Sequence, residues 1–374
     1  MPLSSYLKPG SFFQKMTVHL NNGWVGVDIF FCLSSFLLTS LLMMEYKDTA
    51  AISIKKFLIR RALRIWPLYY LMLLLSFLVF PIFGLFSHPL HTAEYTLFKN
   101  QHLLPYSLFL GNFSYMYFVT SLTLPMGLLW TISLEEQFYL IWPIALSVLL
   151  PSKKRWFFIA LTGMVLLSMI VRFYLIKNSI PYPTIWVFTL ARLDAFALGA
   201  LLAYLFLNKI SFIHPLIALL ISIFLFIIVF WLPGYKMAST FWELFVVDLA
   251  AALLIYAAIY SKGLAKCLSF GPLPWLGQIS FGLYIYHNLM IHIVLSYFVP
   301  FIKKYIIFPK SPIASWYLTF AIIFLFTIIC ATLSYYLYEN PFLKLKKKFD
   351  PIKADHEKNA TPYQGTETLE FETK

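Results

Sequence analysis

Charge is what this sequence has least of. Only 12% of its 374 residues are Asp, Glu, Lys or Arg, against roughly 25% in a soluble globular domain, so the soluble classes are excluded. Cysteine is scarce as well. Cys32, Cys267 and Cys330 show no metal-ligand spacing, which argues against a disulfide framework and a cysteine zinc site. Glycine-rich phosphate loops of the P-loop or dinucleotide type are absent, and so is any evident internal repeat. The first 22 residues contain neither a cleavable signal peptide nor an apolar helix.

Apolar residues fill the space that charge leaves. They make up 60% of the chain, and the mean hydropathy is +0.77. The composition predicts an all-α, polytopic integral membrane bundle. Apolar runs of about 20 residues fall near Trp24–Met44, Ile65–Phe86, Gly127–Leu150, Trp156–Ile176, Ile185–Phe206, Phe212–Pro233, Phe241–Tyr260, Ser280–Phe301 and Ile313–Tyr338. These nine spans form a membrane domain over residues 23–343, after a segment 1–22 and before a basic, then polar tail 344–374. The tail, from Asp350 on, reads as disordered. The one long connection, Gly84 to Pro125, contains the aromatic stretch Leu103–Tyr117. Pro105, Gly111 and Asn112 break that stretch, which predicts an interfacial or re-entrant segment.

Lys and Arg set the orientation. Segments 46–64, 151–155, 207–211, 261–279 and 343–348 carry 16 of them and the alternating set carries 8, which puts the C-terminus in the cytoplasm. With nine spans the N-terminus would then lie outside. The excess of basic residues, +13 overall, sits mostly at cytoplasmic helix ends, where anionic lipid headgroups are the expected partner; no nucleic-acid partner is expected.

Against this background the buried charges stand out. Glu135 and Glu136 interrupt an apolar helix, and a carboxylate at bilayer depth costs about 2.5–3.5 kcal/mol even on the lenient insertion scale. Glu135 and Tyr139, four apart, share a helix face while Glu136 points elsewhere. Either these acids pair with an internal base such as Arg192, or they serve chemistry. Asp28, at the outer mouth of the first span, is either a first-turn acid favoured by the helix dipole or a group placed among small residues that admit a second backbone. Arg61 and Arg64 share a face and make a fork suited to phosphate, with a positive-inside anchor as the alternative. Arg192 and Asp194, two apart, do not face each other, so each is expected to pair with another helix. Tyr284 and His287 sit three apart, after Ser280.

Taken in order, Gly26-Val-Asp28-x-Phe-Phe31, Arg61-x-x-Arg64-Ile-x-Pro67-x-Tyr, Ser133-x-Glu135-x-x-Phe-Tyr139, Arg192-x-Asp194, Gly277-x-x-Ser280-x-x-x-Tyr284-x-x-His287 and Tyr338-Glu339-x-Pro341-Phe342 resemble the membrane acyltransferase 3 family. The resemblance implies an integral-membrane enzyme. It would move an acyl group, by default acetyl, from cytosolic acyl-CoA to a hydroxyl of an extracytoplasmic carbohydrate such as O-antigen, exopolysaccharide or peptidoglycan. Acyl-CoA is then a donor substrate, with no tightly bound cofactor and no metal. Arg61 and Arg64 would receive the CoA phosphates, and Glu135 would activate a hydroxyl or orient a catalytic imidazole. Asp28, Tyr139, Arg192, Asp194, Ser280, Tyr284 and Glu339 fall in structural or pathway roles. The family implies a further first helix ending in a histidine that acts as the catalytic base, so this chain is expected to be a truncated or mis-started form that lacks that base unless His19 or His287 substitutes for it. Where the family has Ser-Gly-Phe, this sequence has Ser34-Ser35-Phe36. Two other readings of the intramembrane charges are a glycan or lipid-linked precursor transporter, with Asp248 added to its pathway, and a non-catalytic relative.

Overall fold

The computed structural model describes residue 23 and residues 25–83, 92–118, 125–180, 183–231, 241–305 and 311–349. His19 and the tail beyond residue 349 lie outside them. Every regular element among the described residues is helical: α1 Val25–Thr49, α2 Ile54–Ile82, α3 Ala93–Ser107, α4 Gly111–Phe118, α5 Trp130–Leu149, α6 Lys154–Lys177, α7 Thr184–Val187, α8 Leu193–Leu207, α9 Pro215–Trp231, α10 Glu243–Tyr260, α11 Lys262–Leu268, α12 Leu273–Gln278, α13 Ser280–Lys304 and α14 Ile313–Lys346. Eight helical stretches among the described residues are long and apolar enough to cross a membrane. The shorter apolar helix α9 corresponds to the remaining predicted span.

Burial follows the logic of a membrane bundle. Large apolar side chains such as Phe158, Ile170 and Phe173 on α6, Phe224 on α9 and Phe324 on α14 are exposed, as a lipid-facing surface requires. Small residues instead mark where helices meet. A Cβ on Gly199 of α8 would lie 2.2 Å from the Cys32 carbonyl oxygen and 2.7 Å from Ser35 Cβ, so the α1 and α8 backbones touch there. The Ser35 hydroxyl donates across that contact to the Phe196 carbonyl at 2.6 Å. The close approach therefore falls at Ser35 rather than beside Asp28. A Cβ on Gly23 or Gly26 would meet nothing within 4 Å among the described residues.

Three π-helical turns, Leu75–Val79, Val294–Phe298 and Tyr335–Glu339, share one cause. Each is followed by a proline, Pro81, Pro300 and Pro341, which cannot donate to the carbonyl four residues back. That carbonyl belongs to Phe77, Ser296 or Leu337, the middle residue of the turn, and the ladder relaxes to longer bonds around it.

The stretch expected to be interfacial or re-entrant forms α3 and α4, joined by a tight turn at residues 108–110 that docks on α2 and α5. Phe109 adopts φ 56° and packs its ring 4.6 Å from that of Tyr69 and 5.5 Å from that of Trp66. Polar side chains satisfy the backbone that the turn exposes. Gln137 donates to the Phe109 carbonyl at 2.9 Å, Tyr69 to that of Tyr106 at 2.7 Å, and the Gly111 amide donates to Ser133 Oγ at 3.2 Å. Irregular backbone inside a bundle is tolerated only when it is paired in this way.

Candidate active site

A cavity of 490 Å³ opens between α1, α5, α7 and α13, lined by Gly23, Gly26, Val27, Phe30, Leu128, Thr131, Trp186, Ser280, Tyr284 and His287. The spacing of Ser280, Tyr284 and His287, four and then three residues, puts all three on one face of α13. Tyr284 is anchored to the start of α5. Its hydroxyl shares a 2.7 Å hydrogen bond with Thr131 Oγ1 and lies 3.2 Å from the Leu128 carbonyl, and its ring stacks on Phe30 of α1. His287 Nδ1 lies 2.6 Å from the Tyr284 carbonyl oxygen. A carbonyl only accepts, so Nδ1 carries the proton, and in the neutral ring Nε2 holds the free lone pair.

Glu135 lies one turn beyond Thr131 on α5, about 6 Å further along the axis. It is buried against the Ser34 and Tyr139 hydroxyls, with Arg61 nearby; those two hydroxyls are 2.5 Å apart. Oε1 of Glu135 has no hydrogen-bond partner among the described residues. Glu136 points elsewhere, as its place in the helix predicts, and accepts from Trp66 Nε1 at 3.1 Å. No hydrogen bond among the described residues joins Glu135 directly to His287.

Arg61 stacks over the Tyr139 ring at 5.3 Å, and Arg64 is exposed on the same side, within electrostatic reach of Arg61, Glu135 and Glu339. Neither guanidinium makes an ion pair with the described residues, whereas Arg60 is engaged by Glu45 at 3.4 Å and by the Phe349 carbonyl at 2.8 Å. Glu339 sits in the last π turn, where the wider spacing brings Ser334 Oγ to its Oε1 at 2.9 Å. Tyr338 reaches back to the Pro67 carbonyl at 3.1 Å, so the final motif closes against the second one.

The other charges pair elsewhere. Arg192 does not meet Glu135; it is fully buried and ion-paired with Asp28. Asp194 pairs with Arg172 at 2.7 Å, a residue that sequence reading passed over inside an otherwise apolar span. The rarity of arginine at that depth was the available signal. Thr131 and Trp186 were missed as cavity residues for a different reason: hydroxyls and aromatics are ordinary in membrane helices. Among the described residues no three His, Cys, Asp or Glu side chains group as metal ligands.

Comparison with known proteins finds several relatives. A 30% identical relative over 294 residues is the peptidoglycan O-acetyltransferase OatA of Listeria monocytogenes serovar 1/2a (strain ATCC BAA-679 / EGD-e), covering 72% of this chain and 46% of that protein. A Staphylococcus aureus (strain COL) protein provisionally named an O-acetyltransferase is 27% identical over 352 residues, 87% of this chain and 54% of its own. A Bacillus subtilis (strain 168) protein, YrhL, provisionally named a peptidoglycan O-acetyltransferase, is 28% identical over 345 residues, 87% of this chain and 52% of its own. The chain thus spans about half the length of the curated relatives it matches. No solved structure matches. The family profile described as an acyltransferase domain matches residues 3–336, through the segment that holds His19, and the chain belongs to the acyltransferase 3 family.

Proposed function

We propose that this chain transfers an acyl group, acetyl by default, from acyl-CoA supplied on the cytoplasmic side to a hydroxyl of an extracytoplasmic carbohydrate. Two of the relatives carry peptidoglycan in their names, which makes a peptidoglycan sugar the first acceptor to try. The observation that carries the reading is the cavity holding His287, with Nε2 left free by the Nδ1 contact to the Tyr284 carbonyl.

In this mechanism Arg61 and Arg64, which make no ion pair with the described residues, receive the CoA phosphates. The acceptor hydroxyl gives its proton to an imidazole as its oxygen attacks the acyl carbonyl carbon. The C–S bond breaks, and the CoA thiolate takes up a proton. His287 is the base within the cavity, and His19, on the segment just before Gly23, is the second candidate. The Tyr284 and Thr131 hydroxyls line the space where the carbonyl oxygen would gain charge.

The test is thiol release from acetyl-CoA by purified protein supplied with a peptidoglycan fragment. His287→Ala should lower kcat at least 100-fold, within the range of general-base contributions, while His19→Ala retains turnover. The reverse pattern would move the base to His19. Full activity in both variants would remove histidine from the reaction.

A further inference from the structure

A second cluster of ionisable groups lies away from the cavity, between α1, α6, α8 and α10. Asp28, Arg172, Arg192, Asp194 and Asp248 are all fully buried, which sets three carboxyls against two guanidiniums. Asp194 is complete: Ser168 donates to one oxygen at 2.9 Å and Arg172 to the other at 2.7 Å. Arg172 is complete too, donating in addition to the Phe241 and Ala191 carbonyls. Arg192 reaches only one oxygen of Asp28. Asp248 abuts Asp28, yet Asp28 Oδ2 and both Asp248 oxygens have no donor among the described residues.

Two carboxylates in contact are two acceptors with nothing between them. Both ionised, they would leave the cluster with an uncompensated negative charge in a site closed to solvent, an arrangement that a low-dielectric interior strongly disfavours. We infer that Asp28 and Asp248 hold one proton between them, forming a carboxyl–carboxylate pair that bridges α1 and α10 and is neutralised by Arg192. The proton places a donor between the two facing carboxyls and brings the net charge of the cluster to zero. Along α1 and α10 the other titratable groups nearest in sequence to the pair are Cys32 and Glu243, the latter about 7 Å of helix rise from Asp248. Further along the packed elements stand Glu45, Tyr46, Lys47 and Asp48 on α1, Tyr256 and Tyr260 on α10, Lys154, Arg155, Tyr174 and Lys177 on α6 and Tyr204 on α8; α9, packed on α10, brings none from Pro215 to Trp231.

The pair stands behind the cavity wall. The Arg192 guanidinium lies 5.6 Å from the Phe31 ring centre, Phe31 packs edge-on to Trp130 at 6.4 Å, and Trp130 lies 4.8 Å from Trp186, which lines the cavity. Asp248 is thus a positioning residue, and its proton fixes where Arg192 and that aromatic row come to rest.

Infrared spectroscopy of protein carrying carbon-13 aspartate tests this on the unaltered chain, since the label separates aspartate from glutamate bands. At neutral pH the expected spectrum contains one protonated aspartate carbonyl band. Its absence would overturn the inference. Asp248→Asn, whose amide can donate to Asp28 in the proton's place, should remove the band, and a band that survives at equal intensity would overturn the assignment. Where that variant fails to accumulate, Asp28→Asn gives the same reading.

Discussion

At the residue scale, the difference between Arg60 and Arg64 separates anchoring from recognition. Arg60 is consumed by Glu45 and the Phe349 carbonyl, so its loss should weaken the fold at that end. Arg64 is exposed and has no ion pair among the described residues, so the fold spends little on it. A charge-assisted hydrogen bond to a phosphate is worth about 1.5–3 kcal/mol, or roughly 10- to 100-fold in an equilibrium constant. Arg64→Ala should therefore raise the KM for acetyl-CoA at least tenfold, with kcat and membrane abundance near those of the unaltered chain. Acetyl-CoA titrations of thiol release alongside quantified membrane protein check this, and a parallel loss of abundance and turnover would remove the phosphate role. Arg61 is the poorer probe, because its stacking on Tyr139 ties its loss to the surroundings of Glu135.

At the scale of elements, what holds the bundle together is close approach rather than apolar area, since lipid tails solvate leucine as well as another helix does. Gly199→Ala places a methyl group 2.2 Å from the Cys32 carbonyl oxygen, backbone that cannot swing aside, and overpacking costs about 1–3 kcal/mol or more. Gly163→Ala on α6 meets nothing within 4 Å. The first variant should lower apparent melting temperature and yield sharply while the second leaves both unchanged, measured by fluorescence-detected thermal denaturation in detergent. The same contrast explains what the sequence could disclose. Span positions follow from hydropathy, and the separate pairing of Arg192 and Asp194 follows from their two-residue spacing, because both are properties of one helix. Which carboxyl each arginine meets depends on how α1, α6, α8 and α10 are arranged, so Asp28 as the partner of Arg192 and Arg172 as the partner of Asp194 were not legible. The helical character of α3 was hidden by Pro105, which the helix carries near its end. The docking of the turn after it rests on Ser133, which the sequence marks as a motif position without a partner, and on Gln137, which it marks only as a neighbour of Glu135.

At the scale of the whole molecule, the end of α14 and the start of α2 lie on one side of the bundle, tied by Arg60 and the Phe349 carbonyl. The end of α1 joins them there through Glu45, which accepts from the Ser53 amide at 2.9 Å and pairs with Arg60. The basic residues of 46–64 and 343–348 therefore gather at a single face, and a cytoplasmic location is the one the distribution of Lys and Arg favours. Acyl-CoA meets Arg61 and Arg64 only if that face is inside. With Cys267, the exposed native thiol, replaced by serine, Lys47→Cys and Lys344→Cys should react with a membrane-impermeant thiol reagent in inverted vesicles and not in intact cells. Lys177→Cys, at the far end of α6, should show the opposite pattern. Labelling of positions 47 and 344 from opposite sides would contradict the packing of α14 on α2. Labelling of both from outside would leave the fold standing but invert it, placing the arginine fork where no cytosolic thioester can reach and taking the acyl-CoA reading with it.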